Sequence, residues 1–264
     1  MAKTICIANQ KGGVGKTTTV INLGTSVALH DKKTLIIDVD PQANASSGMN
    51  MATDTDNSIY SALVLDRDIN TIIKKTEVPK LSFAASTIDL TGAEIELVNL
   101  PEREYRLKKS LGSIQDQFDY IFIDCPPSLG MLTINALAAA DSVLIPLQCE
   151  YYALEGLSQL LKTIKLVKGG LNPGLTLEGI VLTMFDKRNK LSHQVAAEIT
   201  QHFPSKVFKA MIPRNVRLAE CPSHRKPVFF YDRTSIGAQR YLELARQLLG
   251  IESEPDPAQR ETTA

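Results

Sequence analysis

The sequence of 264 residues has no run of about 18 consecutive apolar residues, so we expect no transmembrane helix. Its first residues, MAKTICIANQKGG, lack the apolar stretch and the cleavage site of a signal peptide, which predicts a cytoplasmic protein. Lys and Arg total 29 and so do Asp and Glu, and this zero net charge gives no overall-charge argument for a polyanionic partner. The four cysteines include no Cys-x-x-Cys pair, and we expect free, buried thiols rather than a metal centre.

The zero net charge is an average over three segments of opposite sign. Residues 1–157 carry a net charge of −6, residues 158–249 carry +9, and residues 250–264 carry −3. Within 187–226, nine basic residues stand against two acidic ones, a net charge of +7. A clustered basic surface is typical of non-specific contact with nucleic-acid phosphates. An ordinary solvated face, with its arginines in local ion pairs, would give the same count.

Short apolar segments alternate with helical patterns along the chain. Strands are predicted at 4–8, 34–38, 81–85, 120–124, 142–147 and 178–184, and helices at 17–30, 102–117, 129–139, 153–168, 190–202 and 234–249. Continuously apolar strands are typical of a parallel sheet buried on both faces. The alternation predicts a doubly wound, mostly parallel α/β sheet flanked by helices, in a single domain over 1–250. Residues 41–80 are less regular, and the polar, acidic residues 251–264 are predicted to form a disordered tail.

The strongest motif is KGGVGKTT at 11–18, which lies between the first predicted strand and the first predicted helix. Glycines let backbone N–H groups converge on an anion, and the start of a helix adds free N–H groups and the positive end of its dipole. In a phosphate loop of this kind, Lys16 reaches the β- and γ-phosphates and the Thr17 hydroxyl binds Mg²⁺. The predicted nucleotide-binding loop comprises Lys11, Gly12, Gly13, Val14, Gly15, Lys16, Thr17 and Thr18.

Three carboxylates come at the ends of predicted strands. Asp38 and Asp40 stand in LIIDVDPQ, and Asp124 ends YIFID. Ligands of an open parallel sheet lie beyond the carboxyl ends of its strands, so all three belong beside the loop. Because Mg²⁺ binds few carboxylates and keeps its waters, we expect Asp38 and Asp124 at the metal together with Thr17, although a cap on the following turn would also suit them. The residues alone leave Asp38 and Asp40 as alternatives for the catalytic carboxylate.

The phosphate loop departs from the general pattern, with Gln10 where that pattern has glycine and with a second lysine, Lys11. In this respect KGGVGKTT resembles the deviant Walker A loop of the family that includes ParA/Soj partition ATPases, the MinD division regulator and the nitrogenase iron protein. The segments QCEYYALEGLSQLL at 148–161, VLTMFDKRNKLS at 181–192 and IPRNVRLAECPSHRKPV at 212–228 are similar to the small ParA/Soj group. The resemblance covers about residues 3–249, with a local departure at Arg225, where the family often has glycine.

The resemblance implies an ATP- and Mg²⁺-dependent ATPase with slow intrinsic turnover, whose two copies form a sandwich dimer when ATP is bound. It implies that Lys11 reaches across to the partner's nucleotide and that Asp40 orients or deprotonates the attacking water, so that Lys11, Lys16 and Asp40 form the catalytic set. It also implies that the base lies near Pro213 and Asn215.

The resemblance further implies a partition function. ATP-bound dimers would coat the nucleoid by binding double-stranded DNA of any sequence, until a ParB/Spo0J-type partner stimulates hydrolysis. Family positions implicated in DNA contact match Arg188 and Arg217, and the basic segment adds Lys209 and Arg214 as further candidates. Only three residues precede the first predicted strand, so we expect no helix-turn-helix before it and no sequence-specific operator binding.

Other functions stay open at this level. A MinD-like membrane switch would need a basic amphipathic C-terminal helix, whereas YLELARQLLG is followed by acidic residues, so no membrane partner is expected. A redox relative would need cysteines that converge at a dimer interface, for which Cys125 is the candidate. An ATPase that positions another cargo, or a small-molecule ligase of the same superfamily, would carry the same phosphate loop.

Overall fold

The computed structural model describes residues 1–150 and 153–251, and its centre is a seven-stranded sheet. In chain order the strands are β1 (Lys3–Ile7), β2 (Thr34–Asp38), β3 (Lys74–Lys75), β4 (Leu81–Ala84), β5 (Tyr120–Asp124), β6 (Ser142–Gln148) and β7 (Thr176–Thr183). Their order across the sheet is β3-β4-β2-β5-β1-β6-β7, and all neighbours are parallel except β3 and β4. The predicted doubly wound, mostly parallel sheet is confirmed.

Helices of very different length connect the strands. They are α1 (Lys16–Leu29), α2 (Asn44–Gly48), α3 (Ile59–Val64), α4 (Leu90–Glu96), α5 (Arg106–Leu111), α6 (Met131–Ala139), α7 (Ala153–Gly170), α8 (Lys190–His202), α9 (Val216–Glu220), α10 (Val228–Tyr231) and α11 (Ile236–Leu249). Short 3₁₀ segments adjoin several of them, among them Cys221–His224 directly after α9.

The central strands are mostly apolar because helices cover both faces of the sheet. In β2, Leu35 and Ile37 pack into one buried cluster with α5, α6 and α7, while Ile36 packs into a second cluster with α1 and α11. The same alternation recurs in β5, where Phe122 lies on the side of α1. Each central strand therefore contributes side chains to two cores, which explains its unbroken hydrophobic sequence.

The observed elements differ from the predicted ones in a few places. Helix α5 spans six residues where 102–117 was expected, and turns replace its predicted ends. It stops before Gly112, a residue that disfavours helix. Strand β3 and helices α4, α9 and α10 were not predicted, since each is too short to show a period. The tail predicted at 251–264 lies, after Ile251, outside the described residues.

The carboxyl ends of three neighbouring strands meet at one edge of the sheet. Strand β1 leads into the phosphate loop, and the register pairs Ile7 with Asp124 and Asp38 with Asp124. Helix α2, from the irregular stretch after β2, packs against α1 at this edge. Within residues 1–150 and 153–251, none of the helices has the length and apolar character needed to cross a bilayer.

Candidate functional site

The phosphate loop turns tightly between β1 and α1. Gly13 and Gly15 have positive φ angles of 75° and 89°, a left-handed conformation that favours glycine. Gly12 does not have a positive φ, and a Cβ added there would meet no atom within 4 Å. The backbone thus requires glycine at two of the three predicted positions. Val14 is buried, so it offers a ligand its backbone only.

Two side chains that the sequence analysis missed fix this loop to the sheet. Asn9 is buried; its Nδ2 donates to the Pro146 carbonyl at 2.7 Å and its Oδ1 accepts from the Lys11 N–H at 3.0 Å. On the other side, the Thr183 hydroxyl at the end of β7 donates to the Val14 carbonyl at 2.8 Å. The loop is therefore held in shape by contacts with β6 and β7.

Lys16 lies at the start of α1 with its ammonium folded back over the loop. Its Nζ donates to the Lys11 carbonyl at 3.1 Å, and only 6% of the residue is exposed. Burial lowers the pKa of Lys16, while the nearby carboxylates of Asp124 and Asp40 oppose that shift. A buried cation beside a loop of free N–H groups is an arrangement suited to polyphosphate.

Asp38 is fully buried and already satisfied by protein donors. Its Oδ1 accepts from the Asp40 N–H at 3.1 Å, and its Oδ2 accepts from the Ser46 N–H at 2.9 Å and the Ser46 hydroxyl at 2.7 Å. Burial raises the pKa of Asp38 to about 6. Through Ser46, whose hydroxyl also accepts from the Ser86 N–H at 2.9 Å, this carboxylate ties α2 to the end of β4.

Asp124 contrasts with Asp38 because both of its carboxylate oxygens are buried and have no hydrogen-bond partner among the described residues. Burial raises the pKa of Asp124 well above its ordinary value and the neighbouring Asp38 adds to the increase, while the Thr17 hydroxyl and Lys16, which lie nearby, oppose it. Unpartnered buried carboxylate oxygens near the Thr17 hydroxyl are a donor set that suits Mg²⁺ and its waters. These residues therefore fit the metal that the phosphate loop implies.

Asp40 is the one of the three predicted carboxylates that lines the cleft. A cavity of about 490 Å³ is bordered by Gly12, Gly13, Lys16, Thr17 and Asp40, whereas Asp38 and Asp124 lie behind its wall. The Asp40 Oδ1 accepts from the Gln42 N–H at 2.9 Å. Its position against the open cleft makes Asp40 the better placed of Asp38 and Asp40 to meet a water beside a bound phosphate.

A second cavity adjoins the phosphate loop on the far side of Gly15. It measures about 320 Å³ and is lined by Gly15, Thr18, Pro213 and Asn215 among others. Asn215 caps the start of α9, where its Oδ1 accepts from the Leu218 N–H at 3.2 Å. This leaves its side-chain N–H₂ group for a ligand. The predicted base-binding residues thus lie next to the predicted phosphate loop.

Lys11 extends from the loop toward solvent and forms an ion pair with Glu150, which follows β6. About 45% of the Lys11 side chain is exposed, in contrast to the buried Lys16. Lys11 therefore does not reach into its own phosphate loop as Lys16 does, and Glu150 is a partner that the sequence analysis did not foresee.

Three of the four predicted DNA-contact residues line one surface groove. Arg188, Lys209 and Arg214 border a cavity of about 510 Å³, together with Lys187 and Arg240, which had not been singled out. Asp186 is the one acidic residue that borders it, within the described part of the chain. We call Lys187, Arg188, Lys209, Arg214 and Arg240 the basic groove.

Arg217, the fourth predicted DNA contact, does not line the basic groove. Its guanidinium forms ion pairs with Glu220 at 3.0 Å and with Asp232 at 3.2 Å, and about half of its side chain is exposed. The Tyr231 hydroxyl also donates to Glu220, at 2.9 Å. The charge of Arg217 is therefore compensated locally, as the solvated-face alternative has it. Two members of the basic groove also form ion pairs, Arg188 with Asp186 and Arg240 with Glu243.

The four cysteines are free and buried. Cys125 Sγ lies 3.1 Å from Cys6 Sγ in the core between β1 and β5. Burial raises the pKa of the Cys125 thiol well above its ordinary value. Cys125 thus points into the domain, away from any surface on which two copies could share a cluster.

Comparisons with known proteins show which proteins the chain is similar to. A family model described as an AAA domain matches residues 2–177. The chain is 55% identical to the chromosome partitioning protein ParA of Myxococcus xanthus (strain DK1622), over 98% of this chain and 92% of that one. It is also 55% identical to the sporulation initiation inhibitor protein Soj of Bacillus subtilis (strain 168), over 94% of this chain and 98% of that one. Among solved structures, cobyrinic acid a,c-diamide synthase from Mycobacterium smegmatis, with bound ATP analog and magnesium, matches with a TM-score of 0.81 and 35% identity over 94% of this chain and 95% of that one.

Proposed function

The chain belongs to the ParA/Soj family of partitioning proteins, and we propose that it is an ATPase whose ATP-bound homodimer binds double-stranded DNA without sequence preference and releases it after hydrolysis. The observation that carries this proposal is the contact between the two sites. The cavity beside the phosphate loop and the basic groove share Pro213 and Arg214 as lining residues. A nucleotide that fills the first cavity would therefore press directly on the wall of the second.

The chain's own residues account for the nucleotide chemistry. Lys16 and the N–H groups at the start of α1 neutralise charge on the β- and γ-phosphates, where hydrolysis makes it grow. Thr17, with Asp38 and Asp124 behind it, would hold Mg²⁺, which when bound adds positive charge against the phosphates. Asp40 holds the attacking water from the open side of the cleft, and Pro213 and Asn215 contact the base.

In the proposed dimer, Lys11 makes each nucleotide site depend on a second copy of the chain. Its ammonium points out of its own loop, so we assign it to the nucleotide of the facing protomer, in exchange for its ion pair with Glu150. Two protomers joined in this way present two basic grooves on one particle. Because two grooves that contact the same DNA give a much higher overall affinity than one, the dimer binds DNA much more tightly than the monomer. Hydrolysis then weakens the dimer and the DNA contact together.

The partner and the location are proposed from the family to which the chain belongs. With the family resemblance, the chromosome-partitioning role in the name of the ParA relative leads us to propose a partner of the ParB/Spo0J type that stimulates hydrolysis, and a cytoplasmic location on the nucleoid. The cargo would be a chromosome or a plasmid. The ligase-type structure is less similar, at 35% identity against 55%, so a small-molecule reaction is the weaker assignment.

The direct test is ATP-dependent binding to random-sequence duplex DNA, measured by fluorescence anisotropy over a series of salt concentrations. We expect the unchanged protein to bind with Mg-ATP and not with Mg-ADP, and the double variant Lys209→Ala, Arg214→Ala to bind at least tenfold more weakly with a shallower salt dependence. Lys33→Gln, which removes one exposed charge at the opposite edge of the sheet, is the matched control. Binding that is absent, or equal with both nucleotides, would overturn the proposal.

A further inference from the structure

A second group of cations lies on the other side of the phosphate loop from the basic groove. Lys75, His224, Arg225 and Lys226 line an open cavity of about 400 Å³, and we call them the second basic cluster. Glu77 is the acidic residue on the wall of this cavity. In the described part of the chain, Lys75, Arg225 and Lys226 form no ion pair. Their positive charge is therefore uncompensated, unlike that of Arg217.

The backbone at Arg225 is in a conformation that favours glycine. Its φ of 56° and ψ of 38° are left-handed, at the end of the 3₁₀ segment Cys221–His224. An arginine costs stability at such a position, which glycine adopts without strain. Arg225 Nη1 donates to Asn50 Oδ1 at 3.2 Å. This neutral partner holds the guanidinium at the cavity without removing its charge.

The second basic cluster is continuous with the sites already described. Lys226 lines both this cavity and the nucleotide cleft. Toward the basic groove, α9 and the 3₁₀ segment Cys221–His224 connect Arg214 to Arg225, a length of about 15 Å along their axes. Duplex DNA carries one charge for every ~1.7 Å of its axis, so both groups of cations lie within the span of one short DNA segment.

We propose that the second basic cluster binds a backbone phosphate of the same DNA duplex that occupies the basic groove, with Arg225 as its principal contact. The inference rests on the proposed function and deepens it, because it gives each protomer two separated contacts with the DNA. All four side chains are exposed around an open cavity, which suits a phosphate on a large duplex. A free nucleotide would bind better in the cleft, where Lys16 is buried and α1 presents its N-terminus.

The test uses Arg225→Gly, because glycine adopts the local backbone without strain and removes the charge with no expected loss of folding. In Mg-ATP we expect this variant to bind random-sequence DNA several-fold more weakly, with a slope of log affinity against log salt smaller by about 0.9 per protomer. Arg225→Lys should recover most of the affinity, and Lys33→Gln should show the slope of the unchanged protein. Thermal unfolding of Arg225→Gly should occur at the same or a higher temperature.

The outcomes separate this inference from the proposed function. If Arg225→Gly binds DNA with unchanged affinity and slope while Lys209→Ala, Arg214→Ala is weakened, the second basic cluster is not a DNA contact and the proposed function stands. If Arg225→Gly instead loses affinity for a fluorescent ATP analogue and keeps its DNA binding, the cluster belongs to the nucleotide, and the inference is wrong. If the unchanged protein does not bind DNA, both proposals fail.

Discussion

The carboxylate of Glu94 occupies the space that a side chain at Gly130 would need. Glu94, on α4, accepts from the Met131 N–H at 2.7 Å and from the Leu132 N–H at 3.4 Å, and so caps the start of α6. A Cβ added to Gly130 would lie 2.7 Å from Glu94 Cδ and against both carboxylate oxygens. Glycine at this position thus allows a residue distant in sequence to hold the loop that follows Asp124.

Gly130→Ala should lower the free energy of unfolding by up to about 1 kcal/mol, because the new methyl group displaces the flexible end of Glu94 from the helix it caps. Glu94→Ala should cost about 1 kcal/mol by removing the cap alone, and Glu94→Gln should cost less because it keeps an acceptor. Urea unfolding gives all of these values. The two alanine changes should be strongly non-additive, since without the Glu94 carboxylate the methyl group at 130 has room. Additive losses would show that the two residues do not share this space.

The two buried carboxylates next to the phosphate loop predict an unusual pH dependence for the protein without nucleotide and magnesium. The pKa of Asp38 is raised to about 6 and that of Asp124 is raised well above its ordinary value, in both cases chiefly by burial. A folded-state pKa above the unfolded value means that the folded protein binds the proton more tightly in that window. The free energy of unfolding should therefore fall as the pH rises from about 4 through 6 and beyond.

Asp124→Asn should reduce this dependence, since it removes a buried carboxyl group whose pKa is raised by burial and by Asp38. Denaturant unfolding between pH 4.5 and 7.5, in the presence of a chelator, measures the effect. Asp56→Asn, at an exposed carboxylate, is the control and should leave the pH profile as it was. A profile that Asp124→Asn does not alter would mean that Asp124 is not strained by burial.

The features that could be predicted from the sequence are those with a contiguous signal. Strands β2 and β5 each contain a run of apolar residues before their final aspartate, because both faces of the sheet are covered. This pattern predicts both the strands and their parallel arrangement. The phosphate loop is also contiguous, since its two left-handed glycines and Lys16 lie within four residues. The identity of Asp40 as the residue at the open cleft required the structure, because the motif contains two aspartates and only their surroundings distinguish them.

The features that could not be predicted are contacts between residues distant in the chain. The pairing of Lys11 with Glu150, and of Asn9 with Pro146, depends on how β6 lies beside β1. The basic segment 187–226 reads as one cluster in sequence, but the fold divides it. Some of its members line the basic groove, Arg217 is neutralised by Asp232 from outside the segment, and Arg225 joins Lys75. A linear count of charge cannot show which cations acquire carboxylate partners after folding.

Lys11→Ala should retain ATP binding by each protomer and lose ATP-dependent dimerisation by at least tenfold, because the ammonium is directed out of its own loop. Sedimentation with Mg-ATP measures the dimer, and a fluorescent ATP analogue measures binding. Lys11→Arg, which keeps the charge, serves as the comparison, and Glu150→Gln should favour the dimer by releasing Lys11 from its ion pair. Normal dimers and normal partner-stimulated turnover in Lys11→Ala would leave Lys11 as an ordinary loop lysine.

Asp40→Ala should bind ATP and accumulate as a dimer, with hydrolysis reduced about 100-fold or more, since it removes the carboxylate that faces the cleft. The informative control is Asp40→Asn. Asparagine retains an oxygen that can accept from the Gln42 N–H, and the Asp40 carbonyl still accepts from the Ser86 hydroxyl, so the local backbone is preserved while the negative charge is lost. If the charge acts on the water, both variants are slow in a phosphate-release assay and both give persistent dimers in size-exclusion chromatography with ATP. If Asp40 only shapes the turn, Asp40→Asn hydrolyses ATP at the normal rate and the catalytic assignment is wrong.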